Sequence, residues 1–171
     1  MRLHERVGPA ATTVSAIAEE AGVTRLTVYR HFPDEDGLVS ACAHHWGSLH
    51  PRPDVMAWRG VQDPAERLEL ALTETYAWCR TAAPMMTKIY RDLDTMPAFV
   101  AEFLAEDERT RVTALADGFG TSTRPQLAGV LAHALHIRTW ESLCLNGALT
   151  DQQAVQVMTA AVHAAMGILQ P

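Results

Sequence analysis

Apolar residues recur along the chain at intervals of three and four residues, and runs that alternate apolar with polar residues are almost absent. This spacing is typical of amphipathic α-helices rather than of β-strands. Small polar residues that can cap a helix stand before many of the periodic stretches, and glycine or proline often follows them. The pattern therefore predicts an all-α protein.

Three short helices are predicted near the start of the chain, because Thr13, Thr24 and Asp34 can each cap an apolar periodic stretch. Gly22 is expected to end the first helix, and Pro33 the second, because proline disfavours helical backbone at the preceding residue. The third helix, over about residues 35–48, is expected to direct five side chains towards an interior: Leu38, Ala41, Cys42, His45 and Trp46.

The remainder of the chain is expected to form longer helices, with a connecting segment over residues 50–60 and a loop over residues 120–125. The predicted helices cover about residues 64–81, 84–94, 97–119, 125–146 and 151–169. The last two are apolar over much of their circumference, which favours burial on two sides. A second copy of the chain most easily supplies the second surface, so we expect a homodimer through these two helices; the alternative is that they are central core helices of a single chain.

Composition agrees with a globular protein of one or two small domains, since 48% of the 171 residues are hydrophobic. Cys42, Cys79 and Cys144 are odd in number and form no Cys-x-x-Cys pair, which favours reduced thiols in the cytoplasm over a disulfide framework. The start of the chain lacks the apolar core of a signal peptide, and the longest apolar stretch, over residues 154–169, is too short to span a bilayer. We therefore expect a cytoplasmic protein with no membrane partner.

Charge by itself argues against a nucleic-acid partner. The net charge is −6, and up to Arg52 there are five lysine and arginine residues against six acidic ones. No segment is strongly basic, whereas a protein that binds DNA usually carries a basic patch.

Spacing near the start nevertheless fits a helix-turn-helix, in which two short helices are joined by a tight turn. The residues 14–21, 22–24 and 25–32 supply the two helices and the turn between them. On the second helix Val28 and Phe32 are expected to face inward, while most other side chains can donate hydrogen bonds. Any amphipathic helix carries polar residues outside, so spacing leaves both a DNA-reading helix and an ordinary core helix open.

The stretch "TTVSAIAEEAGVTRLTVYRHFPDEDGL" resembles the DNA-binding region of tetracycline-repressor-like (TetR family) transcriptional regulators. The matching positions are Thr12-Thr13-Val14, Ile17-Ala18, Ala21-Gly22-Val23-Thr24, Val28-Tyr29-Arg30-His31-Phe32 and Leu38. The resemblance implies a DNA-binding domain over residues 1–48 and a ligand-binding and dimerisation domain over residues 49–171. It also implies binding to a double-stranded DNA operator.

By position, the resemblance implies two kinds of DNA contact. The residues expected to contact phosphates are Thr13, Thr27, Tyr29 and His31, and those expected to read bases are Arg25, Leu26 and Arg30. Thr24 is expected to cap the reading helix and to contact the DNA backbone.

Three positions depart from the family pattern. Pro9 allows only a short first helix, Glu35 replaces a common lysine, and Leu26 stands where many members have glycine. We expect either a natural start further upstream or a shortened domain of lower DNA affinity.

The resemblance further implies a repressor that an unknown small molecule releases from DNA. Periodicity gives eight candidates for a pocket suited to an apolar or aromatic ligand: Trp46, Tyr76, Cys79, Met86, Tyr90, Phe99, Phe103 and Trp140. The alternative for each of these residues is an ordinary place in the core.

Signs of an enzyme or a metal site are weak, so no cofactor, metal or catalytic residue is predicted. The stretch "GFGTS" over residues 118–122 is not preceded by a strand or followed by Gly-Lys, and His133 and His136 would need a third ligand. The alternative function is a small-molecule-binding helical protein, or an enzyme, with weak or no DNA binding.

Overall fold

The computed structural model describes residues 2–120 and 125–169, and within them it contains α-helices and no strand. This confirms the expected all-α architecture. The helices are α1 (Arg2–Val7), α2 (Val14–Glu20), α3 (Arg25–His31), α4 (Glu35–Leu49), α5 (Val55–Gly60), α6 (Pro64–Asp92), α7 (Ala98–Ala116), α8 (Pro125–Leu135), α9 (Ile137–Trp140) and α10 (Asp151–Leu169). Short 3₁₀ turns cover Leu93–Thr95 and Asp117–Phe119, and a π-helical stretch covers Glu141–Asn146. Most of the loop expected over residues 120–125 lies outside the described residues.

Two compact units make up the chain. The first unit contains residues 1–51 and 82–103, and the second contains residues 52–81 and 104–171. Helix α6 contributes its first part to the second unit and its last part to the first unit. Among the helices over residues 2–120 and 125–169, none combines the length and the apolar character that a membrane span requires.

The helix starts of the first unit lie where the capping residues predicted them. The Thr13 hydroxyl accepts from the Ala16 amide at 3.2 Å, the Thr24 hydroxyl accepts from the amide three residues on at 3.2 Å, and the Asp34 carboxylate does the same at 2.8 Å. Gly22 joins α2 to α3 with a φ of +66°, a conformation that glycine adopts without strain. Local side-chain-to-backbone bonds therefore position these helices.

The predicted inward face of α4 is only partly right. Trp46 is buried, and Leu38 and Cys42 are half-buried, but Ala41 and His45 are exposed. The stripe that α4 buries is thus narrower than the sequence pattern indicated.

Pro84 does not end a helix, which corrects the predicted break between residues 81 and 84. Helix α6 runs through it to Asp92, although a proline inside a helix lacks one N–H and costs roughly 3 kcal/mol. Pro84 is itself exposed, while four neighbours on both sides of it are buried: Ala82, Ala83, Met85 and Met86. Burial of these side chains offsets the missing hydrogen bond and keeps the helix continuous.

The connecting segment over residues 50–60 contains a helix that the sequence pattern did not predict. Helix α5 begins after Asp54, whose carboxylate accepts from the Met56 amide at 2.9 Å. Trp58 is fully buried, and its indole Nε1 donates to the Glu74 carboxylate at 2.7 Å. This tryptophan anchors α5 in the second unit, a contact that no local pattern indicates.

The long helix predicted over residues 125–146 is interrupted at His136, whose backbone is extended. Helix α8 ends there, and its last carbonyls need other donors. The Tyr76 hydroxyl donates to the Ala134 carbonyl at 2.9 Å, and Arg111 donates to the Leu135 carbonyl at 3.3 Å. The Thr139 hydroxyl donates to the carbonyl of His133 at 2.6 Å. Side chains of α6, α7 and α9 therefore satisfy the interrupted helix end.

We expect Tyr76→Phe to destabilise the protein, because it leaves the buried Ala134 carbonyl without its donor. The loss is about 1–3 kcal/mol of unfolding free energy, and at this chain length each kcal/mol lowers Tm by about 2–4 °C. Thermal unfolding measured by circular dichroism tests this. Tyr29→Phe, at an exposed tyrosine, is the matched control and should leave Tm within error; equal Tm values for both variants would contradict the capping role.

Candidate nucleic-acid interface

Helix α3 is attached through one narrow face and leaves most of its surface in solvent. Among its seven residues Val28 is buried at 6% exposure, where α3 packs against α2. Leu26 is 69% exposed and Tyr29 is 50% exposed. Large side chains that stay exposed on an anchored helix are available to a partner.

The residues predicted to contact DNA lie together in the first unit. Those that are exposed are Thr13, Thr24, Arg25, Leu26, Tyr29, Arg30 and His31, whereas Thr27 is half-buried. The hydroxyls of Thr24 and Thr27 lie 3.0 Å apart, so each one fixes the direction of the other. The first turn of α3 is thus held by its own side chains.

Arg25 is held in place by a residue that sequence reasoning missed. Its Nη1 donates to the Ser15 hydroxyl of α2 at 3.2 Å. Ser15 follows the cap of α2 by two positions and lies in no motif, so no sequence pattern predicts this contact. The bond restricts the guanidinium at the start of the proposed reading helix.

Acidic side chains stand on both sides of α3 in the sequence. Glu19, Glu20, Glu35 and Asp36 are all exposed, and Glu20 pairs with Arg6 at 3.7 Å. Their negative charge offsets the positive charge of Arg25 and Arg30, in agreement with the absence of a basic segment in the sequence.

The eight candidate ligand residues are distributed over both units. In the second unit Tyr76, Cys79 and Trp140 are fully buried. In the first unit the environments differ: Trp46 and Met86 are buried, Tyr90 and Phe99 are half-buried, and Phe103 is 58% exposed.

Trp140 has partners that fix its polar edge. Its indole Nε1 donates to the Asp151 carboxylate at 2.8 Å, and the Arg80 guanidinium lies 5.5 Å from its ring centroid. Arg80 also donates twice to Asp151, at 2.6 and 2.7 Å, and this pairing lowers the pKa of Asp151. The tryptophan therefore links α6, α9 and the start of α10.

Polar groups lie inside the second unit as well. Asp107 accepts from Arg52 at 2.8 Å, and its Oδ2 lies 2.9 Å from Arg111 Nε. The hydroxyl of Thr75 is buried without a hydrogen-bond partner in the part of the chain that the structure describes. A buried polar atom of this kind carries a desolvation cost until water or a ligand bonds to it.

The three thiols lie in environments that suppress ionisation. Burial raises the pKa of Cys79 to about 12 and that of Cys144 to about 11, and it also raises the pKa of Cys42. The reactive form of a thiol is the thiolate. Over residues 2–120 and 125–169, no three His, Cys, Asp or Glu side chains are grouped to hold a metal ion.

Two short capped helices, a glycine turn and a mostly exposed second helix define a class of protein. They form a helix-turn-helix DNA-binding domain.

Comparisons with known proteins agree with this class. Residues 1–42 match the family model described as "Bacterial regulatory proteins, tetR family". Relatives include two Mycobacterium tuberculosis proteins, from strains CDC 1551 and H37Rv, each named an uncharacterized HTH-type transcriptional regulator. Each is 33% identical over 79 residues, which is 46% of this chain and 39% of the relative. The N-terminal part of this chain is therefore similar to the helix-turn-helix domain of tetR-family regulators, as its sequence motif predicted.

That similarity is confined to part of each protein. The chain matches about two fifths of the length of these relatives, 39% in each case. No solved structure matches the chain significantly.

We expect the folded protein to resist thiol alkylation at pH 8, because all three raised pKa values keep the thiolate fraction small. Mass spectrometry after a brief iodoacetamide pulse measures this, with the same pulse in denaturant as the control. Cys79 is expected to be the slowest of the three, since it is fully buried. Rapid native labelling of Cys79 would contradict the described environment.

Proposed function

We propose that this protein is a transcriptional regulator that binds an operator as a homodimer and that a small molecule releases from DNA. The observation that carries the proposal is the geometry of α3. Its inner face is fixed by Val28, its start is capped by Thr24, and its other side chains apart from the half-buried Thr27 are open to solvent. Such a helix fits the major groove of DNA, which accommodates one α-helix.

The side chains of α3 suit two tasks in this proposal. Arg25, directed by Ser15, would donate to a guanine edge, and Leu26 would contact bases by its apolar surface. Tyr29 and His31, with Thr13 at the start of α2, would donate to phosphates. Phosphate contacts set the position of the helix, and base contacts set its sequence preference.

Affinity is expected to depend on few phosphate contacts, because the net charge is −6 and exposed carboxylates stand on both sides of α3 in the sequence. Each neutralised phosphate makes the slope of log affinity against log salt more negative by about 0.9. A mobility-shift titration with DNA flanking the protein's own gene, at several salt concentrations, tests the function. If binding is neither sequence-selective nor salt-sensitive, the proposed function is contradicted. The alternative is then a small-molecule-binding protein without DNA recognition.

Two substitutions separate the proposed roles on α3. Arg25→Ala should reduce operator affinity by about tenfold and relax base preference, because it removes a base contact. Tyr29→Phe should weaken binding on operator and random DNA by the same factor, because it removes a phosphate donor. Competition mobility shifts with operator and random duplexes measure the ratio. Equal losses on both DNAs for both variants would show that the roles are assigned wrongly.

The homodimer proposal is supported by the outer surface of α10. Its inner side chains are buried at four positions: Ala154, Val155, Met158 and Val162. Its outer side remains apolar, because Val157 is 47% exposed and three alanines beside it are exposed as well: Ala160, Ala161 and Ala164. Small apolar side chains allow a second helix to approach closely, and a second copy offers the same surface.

Light scattering should therefore give about twice the 18.7 kDa mass of one chain. Val157→Arg places a charge on the outer surface of α10 and should shift the protein towards monomer. Thr113→Arg, at an exposed position of α7, adds the same charge elsewhere and is the control. A monodisperse wild-type monomer would contradict the dimer.

An effector site in the second unit is supported by its buried aromatic and polar groups. Tyr76, Cys79 and Trp140 give it an apolar interior, and Thr75 contributes a buried hydroxyl without a partner in the described residues. A mostly apolar lining with a few polar groups is typical of small-molecule sites. An apolar or aromatic compound with one hydrogen-bonding group is the ligand class that we propose.

A further inference from the structure

The loop between α1 and α2 is bonded to the end of α6 within the first unit. The Ala10 amide donates to the Asp92 carboxylate at 3.1 Å, across 82 positions of sequence. Arg91 donates through Nη2 to the Val7 carbonyl at 3.1 Å. Two adjacent residues of α6 thus satisfy one donor in the loop, at Ala10, and one acceptor at the last residue of α1, Val7.

Arg91 and Asp92 also bind each other. Arg91 Nε lies 2.6 Å from Asp92 Oδ1, and Arg91 Nη2 lies 2.9 Å from Oδ2, which is a bidentate pair. Asp92 is only 8% exposed, and its bond to Arg91 holds its pKa below the ordinary value. The carboxylate is therefore charged at neutral pH, and its bond to Ala10 is charge-assisted.

Gly8 fits closely against this pair. The residue is buried and has a φ of +94°, a backbone angle that residues other than glycine rarely adopt. A Cβ at this position would overlap Arg91 Nη2 and lie 2.6 Å from the Asp92 carboxylate. The path of the loop is thus matched to the Arg91–Asp92 pair by shape as well as by hydrogen bonds.

The loop continues directly into the start of α2. The Thr12 hydroxyl donates to the Gly8 carbonyl at 2.7 Å, and the Thr12 amide donates to the Pro9 carbonyl at 2.9 Å. The next residue, Thr13, caps α2 through the Ala16 amide. A displacement of the loop would therefore move the first residue of α2.

We propose that the Arg91–Asp92 pair is a positioning element for DNA binding, which holds the α1–α2 loop so that Thr13 and the start of α2 are placed against a phosphate. The pair does this from α6 without contacting DNA. This inference rests on the proposed function, because it assigns Thr13 to the DNA backbone. It adds two residues that lie outside the helix-turn-helix motif.

Two substitutions that change the net charge equally separate the proposed role of Asp92 from general electrostatics. Asp92→Asn and Asp94→Asn each remove one negative charge, which by electrostatics alone favours DNA binding. Asp94 is exposed, two positions further on, and is the matched control. We expect Asp94→Asn to keep or slightly raise affinity, and Asp92→Asn to lower it despite the same change in charge.

Asp92→Ala removes both the ion pair and the acceptor for Ala10, so its loss should be larger than that of Asp92→Asn. We expect about fivefold or more in dissociation constant, since one positioned hydrogen bond to a charged group is involved. The ratio of operator to random binding should not change, because phosphate contacts carry no sequence information. Gly8→Ala disturbs the same contact from the loop side and should act in the same direction.

Amide hydrogen exchange distinguishes positioning from unfolding of the domain. In Asp92→Ala the Ala10 and Ala16 amides should exchange faster, while the Val28 amide of α3, bonded to Thr24, keeps its protection. Wild-type affinity in Asp92→Ala, or lost protection at Val28 in both Asp92 variants, would overturn the proposal. A wild-type chain that binds no DNA selectively would overturn the proposed function instead.

Discussion

Backbone groups at the ends of short helices have to find hydrogen-bond partners, and this requirement governs the first unit. A helix of six or seven residues, such as α1, α2 or α3, makes few internal bonds and leaves most of its terminal N–H and C=O groups free. Thr13 and Thr24 bond the amides at two helix starts, and Asp92 bonds the Ala10 amide in the loop before the first of them. The helix-turn-helix therefore depends on polar contacts as much as on its small apolar contact surface.

The exposure of α3 likewise follows from the small number of its packing contacts. Because Val28 is the buried residue of the helix, nearly all of its other side chains remain available for a partner. The direction of those side chains then has to come from hydrogen bonds, of which Arg25 to Ser15 and Thr24 to Thr27 are examples. A surface arranged before binding loses less conformational entropy when it binds.

The second unit meets the same requirement in its interior. Where α8 ends at His136, its carbonyls accept from Tyr76, Arg111 and Thr139, which belong to three other helices. These polar bonds fix the place at which α9 begins. The last residue of α9, Trp140, donates in turn to Asp151, the first residue of α10. The position of α10, whose outer surface is proposed to bind the second copy, thus depends on polar bonds as well as on apolar packing.

The sequence by itself determined the all-α class, the caps of the first helices and the tetR-family motif, because these signals link a side chain to backbone a few residues away. It did not determine that α6 continues through Pro84, that α8 stops at His136, or that Trp58 anchors an extra helix. Each of these outcomes depends on burial or on a donor from a distant segment. Asp92 is the clearest case, since in sequence it resembles an ordinary charge at a helix end. Only the tertiary structure brings it to the Ala10 amide, 82 positions away, where it supports the start of α2.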